Sequence, residues 1–289
     1  MKTLKNIQFQ QFLNLLLLLI VATINQTIQI SWLQIALLAL FASAVEVVFS
    51  YYYKREIFIP YSAMITVFGI VLMIGWTKWY IPYILIAVSI AQKWLMRVSN
   101  RHLFNPSNFA VVFALALFFP KAMPIVGQLG YQGYLIIAVI IAIAIAILVR
   151  VDRYIISFAF VIFYILLEYL FMKHYDPHWK FDDFLTKLYS TSFVVYILFM
   201  LTDPRVTPNS KLLQTIFAFV VALIVATLDF LFSPHLKNLF IALFVTTPIF
   251  FVVDNSIKSK EKTKYMIFLF LCVIISIYVL SLPSRYFSM

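Results

Sequence analysis

Apolar residues in this chain come in eleven runs of about 17–22 residues, separated by short polar breaks. A helix of that length crosses a hydrocarbon slab of roughly 30 Å, which a soluble fold has no need to do. The runs fall at roughly 9–25, 31–51, 61–77, 79–96, 105–121, 132–149, 152–172, 185–201, 212–232, 236–254 and 265–283. They do not alternate apolar with polar residues, so a membrane barrel is excluded. With 64% hydrophobic and 11% charged residues, the chain leaves nothing long enough to fold as a soluble domain. Residues 1–289 therefore read as one integral membrane domain, an all-α polytopic transmembrane helical bundle. The count is ten or eleven spans and turns on 79–96, where Pro82 falls early and Lys93 late.

The net charge of +11 could point to nucleic acid, but the basic residues are scattered over short loops. The partner they imply is the lipid bilayer, and no nucleic-acid partner is expected. With the N-terminus in the cytoplasm, fifteen of the 22 Lys and Arg lie in cytoplasmic segments and seven on the opposite side. That asymmetry predicts a cytoplasmic N-terminus and a C-terminus outside. No small-x-small cleavage site follows the first run, which reads as a retained helix. The one cysteine, Cys272, excludes an internal disulfide and a cysteine metal cluster.

Two polar motifs interrupt the pattern at helix starts. In Arg101-His102-Leu103-Phe104-Asn105-Pro106-Ser107-Asn108, Asn105 suits an N-cap and Pro106 the first helical position. The same exposed amides, with Ser107 beside them, could receive a polar or anionic ligand. In Thr202-Asp203-Pro204-Arg205-Val206-Thr207-Pro208, two prolines preclude a continuous helix and free backbone carbonyls near a carboxylate and two hydroxyls. The motif reads either as a plain turn or as a broken segment at a binding site.

Glu46, Glu168 and Asp229 lie within apolar runs, where an ionised carboxylate needs a partner or a wet path. Glu46 and Glu168, together with Asp203, are candidates for an ion pathway, or for structural pairs. Asp229, near a span end, is expected at the interface. His174 and His178 are four apart, but Pro177 lies between them and no third ligand is evident, so no metal site is expected. No Walker loop, GxGxxG, serine-nucleophile elbow or HExxH motif occurs. No catalytic residue is assigned.

Phe104-Asn105-Pro106, entered from the Lys93-Trp94 helix end, and Leu201 to Pro208 resemble the paired FNP and TDPxTSP signatures of a known family. That family, NqrB/RnfD, comprises membrane components of the sodium-translocating NADH:quinone oxidoreductase and of the Rnf electron-transport complex. The stretch Ser62 to Ile70 is similar to the family's third span. The length fits a shorter, stand-alone branch. The resemblance implies two related helical halves in a bacterial inner (plasma) membrane, holding flavin and passing electrons across the bilayer with cation movement, beside partner membrane subunits or redox proteins. Asn105, Ser107, Thr202, Asp203 and Thr207 would then bind the cofactor or an ion. Classical members attach FMN to a threonine in an S/TGAT motif. Here Lys121 to Gln132 and the 173–184 loop contain none, and Ser190-Thr191-Ser192 lacks its Gly-Ala context. Covalent FMN is thus not expected, and a non-covalent flavin, FMN or riboflavin, is the cofactor implied. The alternatives are a channel or secondary transporter for a small polar solute or ion, and a non-redox scaffold subunit.

Overall fold

The computed structural model describes residues 7–25, 28, 30–55, 60–99, 101–125, 134–175, 181–188, 190–254 and 261–283. The elements in order are α1 (Ile7–Ile24), α2 (Trp32–Lys54), α3 (Tyr61–Met73), β1 (Ile74–Trp76), α4 (Ile81–Leu95), β2 (Arg97–Val98), β3 (Arg101–His102), α5 (Pro106–Phe118) and β4 (Ala122–Pro124). There follow α6 (Tyr134–Arg150), α7 (Tyr154–Tyr175), α8 (Phe181–Leu188), α9 (Thr191–Val195) with a π-helical continuation (Tyr196–Met200), α10 (Lys211–Phe232), α11 (Leu236–Asp254) and α12 (Lys262–Leu280). The chain is an all-α helical membrane bundle. α1, α2, α7, α10, α11 and α12 are long and apolar enough to cross a bilayer. The other apolar runs form the shorter helices α3, α4, α5, α6 and α9 with its π turn.

Two of those short helices depart from the continuous spans the hydropathy predicts. α3 stops at Met73 and α5 at Phe118 after 13 residues each, about 20 Å of helix. Beyond them the chain is extended, and β1 pairs antiparallel with β4, Ile74 opposite Pro124 and Trp76 opposite Ala122. Proline chemistry explains the α5 end. Phe119, placed before Pro120, is driven out of the α region to ψ 136. The Ile125 amide donates to the Met73 carbonyl at 2.7 Å and extends the ladder. Non-helical backbone inside a membrane is tolerated when protein satisfies it, and here each broken segment satisfies the other.

Packing partners recur between two halves. In the first, α3 packs on α1 and α2, α4 on α2, and α5 on α4. In the second, the π turn packs on α6 and α7, α10 on α7, and α11 on α10. The broken elements α3 and α9 with its π turn share this part of the packing pattern, and α3 touches α9. Large aromatic side chains fill the interior, as where Phe104 stacks on Phe244 with ring centroids 4.5 Å apart. Phe158, Ile162 and Phe270 lie exposed on the flanks of α7 and α12, as a lipid-facing surface requires.

Charge inside the first half is locked in one place. Lys93 Nζ on α4 lies 2.5 Å from Glu46 Oε2 on α2, both side chains buried, and donates to Ser62 Oγ on α3 at 3.1 Å. Removing one member of a buried pair strands the other charge. Lys93→Ala is expected to cost about 3–5 kcal/mol, read as a lowered unfolding midpoint in detergent. The double change Glu46→Gln with Lys93→Met is expected to recover most of that loss, which a non-interacting pair would not show.

Candidate functional site

Asn105 caps α5 and reaches across the bundle at once. Its Oδ1 accepts from the Ser107 and Asn108 amides at 3.0 and 3.1 Å, with Pro106 opening the helix. The spare amide Nδ2 donates to Asp203 Oδ2 at 3.0 Å. The cap and the contact across to Asp203 are thus two ends of one side chain.

Asp203 is delivered by the π turn. The Leu201 amide bonds the Tyr196 carbonyl at 2.9 Å, and the Thr202 hydroxyl donates to the Leu198 carbonyl at 2.9 Å. The Ser157 hydroxyl supports the Ile197 carbonyl at 2.7 Å. Insertions of this kind recur at functional sites because they re-aim the residues that follow. Asp203 Oδ1 then accepts the Arg205 amide at 2.9 Å, and the Asp203 carbonyl accepts the Thr207 hydroxyl at 2.7 Å.

Proline frees carbonyls in this turn, but a cation already occupies them. Arg101 Nε donates to the Arg205 carbonyl at 2.9 Å and its Nη2 to the Pro204 carbonyl at 3.1 Å. Arg153 Nε donates to the Thr207 hydroxyl at 3.0 Å. Thr207 consequently braces the turn from behind, whereas Asn105, Ser107, Thr202 and Asp203 line a cavity of about 140 Å³. Ser62, Thr66 and His102 add to its polar wall, and Leu15, Leu148 and Leu198 to its apolar one. Gly69 permits the close approach of α3 to α5, since a Cβ there would stand 2.5 Å from Ser107 Oγ.

His102 Nε2 lies 3.5 Å from Asp203 Oδ2. Burial pushes the imidazole pKa down, against the pull of Asp203. For Asp203, burial alone would raise the carboxyl. The adjacent His102 imidazole, the Arg205 amide and the Arg205 guanidinium outweigh it and hold the group below the ordinary carboxylate range. At neutral pH the site offers a carboxylate, a neutral imidazole, an amide and hydroxyls.

The remaining candidates lie elsewhere. Glu46 is closed by Lys93, although Ser62, which the same lysine bonds, faces the cavity. Glu168 lies in a different buried cluster with Asp229 and Lys187. Asp229, near the end of α10, is 0% exposed and pairs with Lys187 at 2.7 Å. Residues 176–180, with His178 of the histidine pair, and 126–133, part of the stretch searched for a flavin-bearing threonine, lie outside the described residues. Among the described residues no group of three or more His, Cys, Asp or Glu is arranged for a metal.

Compared with known proteins, the chain matches no family model and no curated protein.

Sequence reasoning assigned no role to His102, Arg101, Arg153, Ser62 or Thr66. His102 and Arg101 sit inside the first motif, and their charge type was the available signal. Two outcomes follow from the geometry. Gly69→Ala is expected to cost about 1–3 kcal/mol by overpacking, and Gly69→Ala with Ser107→Gly to recover it. Asp203, with its lowered pKa, stabilises fully above the ordinary carboxylate pKa of about 4, and that contribution is lost as pH falls through the lowered value. His102, held neutral, also favours unfolding as pH drops below about 6.5. Unfolding midpoints in detergent should fall on acidification, with a smaller fall between pH 6.5 and 5 in His102→Gln.

Proposed function

We propose that the chain is a membrane subunit related to the NqrB/RnfD family, passing electrons through the bilayer with a non-covalent flavin whose polar edge meets Asn105, Ser107 and Asp203. The observation that carries this reading is the Asn105–Asp203 hydrogen bond. The two motifs on which the resemblance rests, 98 residues apart in the chain, meet side chain to side chain at a cavity. The donor set suits the group. An isoalloxazine edge presents one N–H between two carbonyls. The Asp203 carboxylate would accept from the first, the Asn105 amide and Ser107 hydroxyl would donate to the others, and Leu148 and Leu198 supply apolar wall. The space of about 140 Å³ is below the roughly 300–1,000 Å³ of sites that engulf a small-molecule ligand. It would therefore hold no more than the polar edge of the ring system.

When bound, a flavin supplies one- and two-electron chemistry. The chain's own residues orient its edge and, through Asp203, hold a negative charge beside the ring's N–H. Charge asymmetry supports a cytoplasmic N-terminus with both motifs on that side, and the resemblance supports a bacterial inner membrane. Partner membrane subunits or soluble redox proteins would supply and remove electrons, and cation movement would accompany their transfer.

A second reading rests on cavity size and on the broken helices. Discontinuous helices of two related halves converging on a small polar chamber also suit passage of a small solute or cation, with no redox step. The absorption spectrum of protein purified from flavin-replete cells separates the two. The redox reading expects a flavin band that acid precipitation releases, with occupancy at least tenfold lower in Asp203→Ala. Colourless protein whose proteoliposome flux disappears in Asp203→Asn would establish the transport reading in its place.

A further inference from the structure

The bundle contains a second polar centre, at the other end of its second half. Asp229 is 18 residues beyond Lys211 on α10, roughly 27 Å along the axis, whereas Asp203 precedes that helix. The Asp229 carboxylate is fully paired. Its Oδ2 accepts from Lys187 Nζ at 2.7 Å and from the Tyr164 hydroxyl at 2.8 Å. Its Oδ1 accepts from Asn238 Nδ2 at 2.6 Å and from the His235 amide at 3.3 Å. Lys187 and Asp229 are 1% and 0% exposed, so they form a closed, neutral pair.

Glu168 disturbs that neutrality. It lies one helical turn beyond Tyr164 on α7 and is 0% exposed. Neither carboxyl oxygen receives a hydrogen bond from any described residue. The charges it faces are Asp229 on α10 and Lys187 on α8. Tyr164 shares the network, His235 borders it through its amide, and Tyr196 faces Tyr164. The one ammonium is already matched by Asp229, so an ionised Glu168 would be a second buried anion with no donor, costing several kcal/mol. One added proton removes both difficulties. It cancels the surplus charge and leaves Glu168 a neutral carboxyl, which needs no counter-charge among these groups. A metal cation would need roughly six oxygen ligands, but the Asp229 oxygens are taken and an ammonium stands beside them.

We propose that Glu168, buried and without a donor among the described residues beside the closed Lys187–Asp229 pair, is a proton-binding site inside the membrane at the end of the bundle opposite the Asp203 cavity. The inference is independent of the flavin reading, because it uses none of the Asp203 residues.

Infrared spectroscopy of the full-length protein in lipid vesicles tests it. At neutral pH the wild type should show the C=O band of a protonated carboxyl, shifted in deuterated buffer. The band should be absent in Glu168→Gln and unchanged in Asp203→Asn. Because the amide is a neutral isostere, Glu168→Gln should fold and melt within a few degrees of the wild type, and above it at alkaline pH. Absence of the band in the wild type, or its persistence in Glu168→Gln, would overturn the proposal. So would its loss on adding sodium at constant pH, or failure of Glu168→Gln to fold while Glu168→Asp folds.

Discussion

The hydrogen bond from Asn105 to Asp203 joins the two places where this chain leaves helical geometry beside its cavity. In a bilayer, any N–H or C=O that departs from a helix must find its partner in protein. α5 begins there because Asn105 caps it, and the chain from the π turn can pass Pro204 and Pro208 because Arg101 and Arg153 take up the carbonyls and hydroxyl left over. The cavity is what remains between these two settled breaks. At the far ends of α3 and α5 the same requirement is met by β1 pairing with β4.

Buried charge is handled in three ways, and the differences mark what each place can do. Glu46 and Lys93 close on each other across α2 and α4. Lys187 and Asp229 do so near the other end of the bundle, with Glu168 left over. Among the described residues no lysine pairs with Asp203. Its charge is carried by an amide, a backbone N–H and the neighbouring His102 and Arg205, an arrangement that stabilises a carboxylate while leaving it beside open space. A site intended for an external partner needs that property, and the two locked pairs lack it.

Hydropathy made the eleven apolar segments legible, since each run produced a helix. It misjudged where α3 and α5 end, because a strand such as Ile74–Trp76 is as apolar as the helix before it. Gly75 and the prolines at 120 and 124 were the local signals. The capping role of Asn105 was readable from Asn-Pro alone. Its bond to Asp203 was not, because nothing in periodicity links residues 98 apart; only the resemblance paired the motifs. The partner of Asp229 was not legible, because its position along the span says nothing of a lysine that α8 brings to it. The same limit hid the choice between an ion pathway and a structural pair at Glu46, whose partner Lys93 was visible only as a charge near a helix end.

The central claim is that the two helix breaks act as one unit through Asn105 and Asp203. A double-mutant cycle with Asn105→Ala and Asp203→Ala, read by denaturant unfolding in detergent, measures their coupling directly. The account gives a coupling energy of about 1.5–3 kcal/mol, as expected for a hydrogen bond to a charged group. Additive single effects, with coupling indistinguishable from zero, would contradict it.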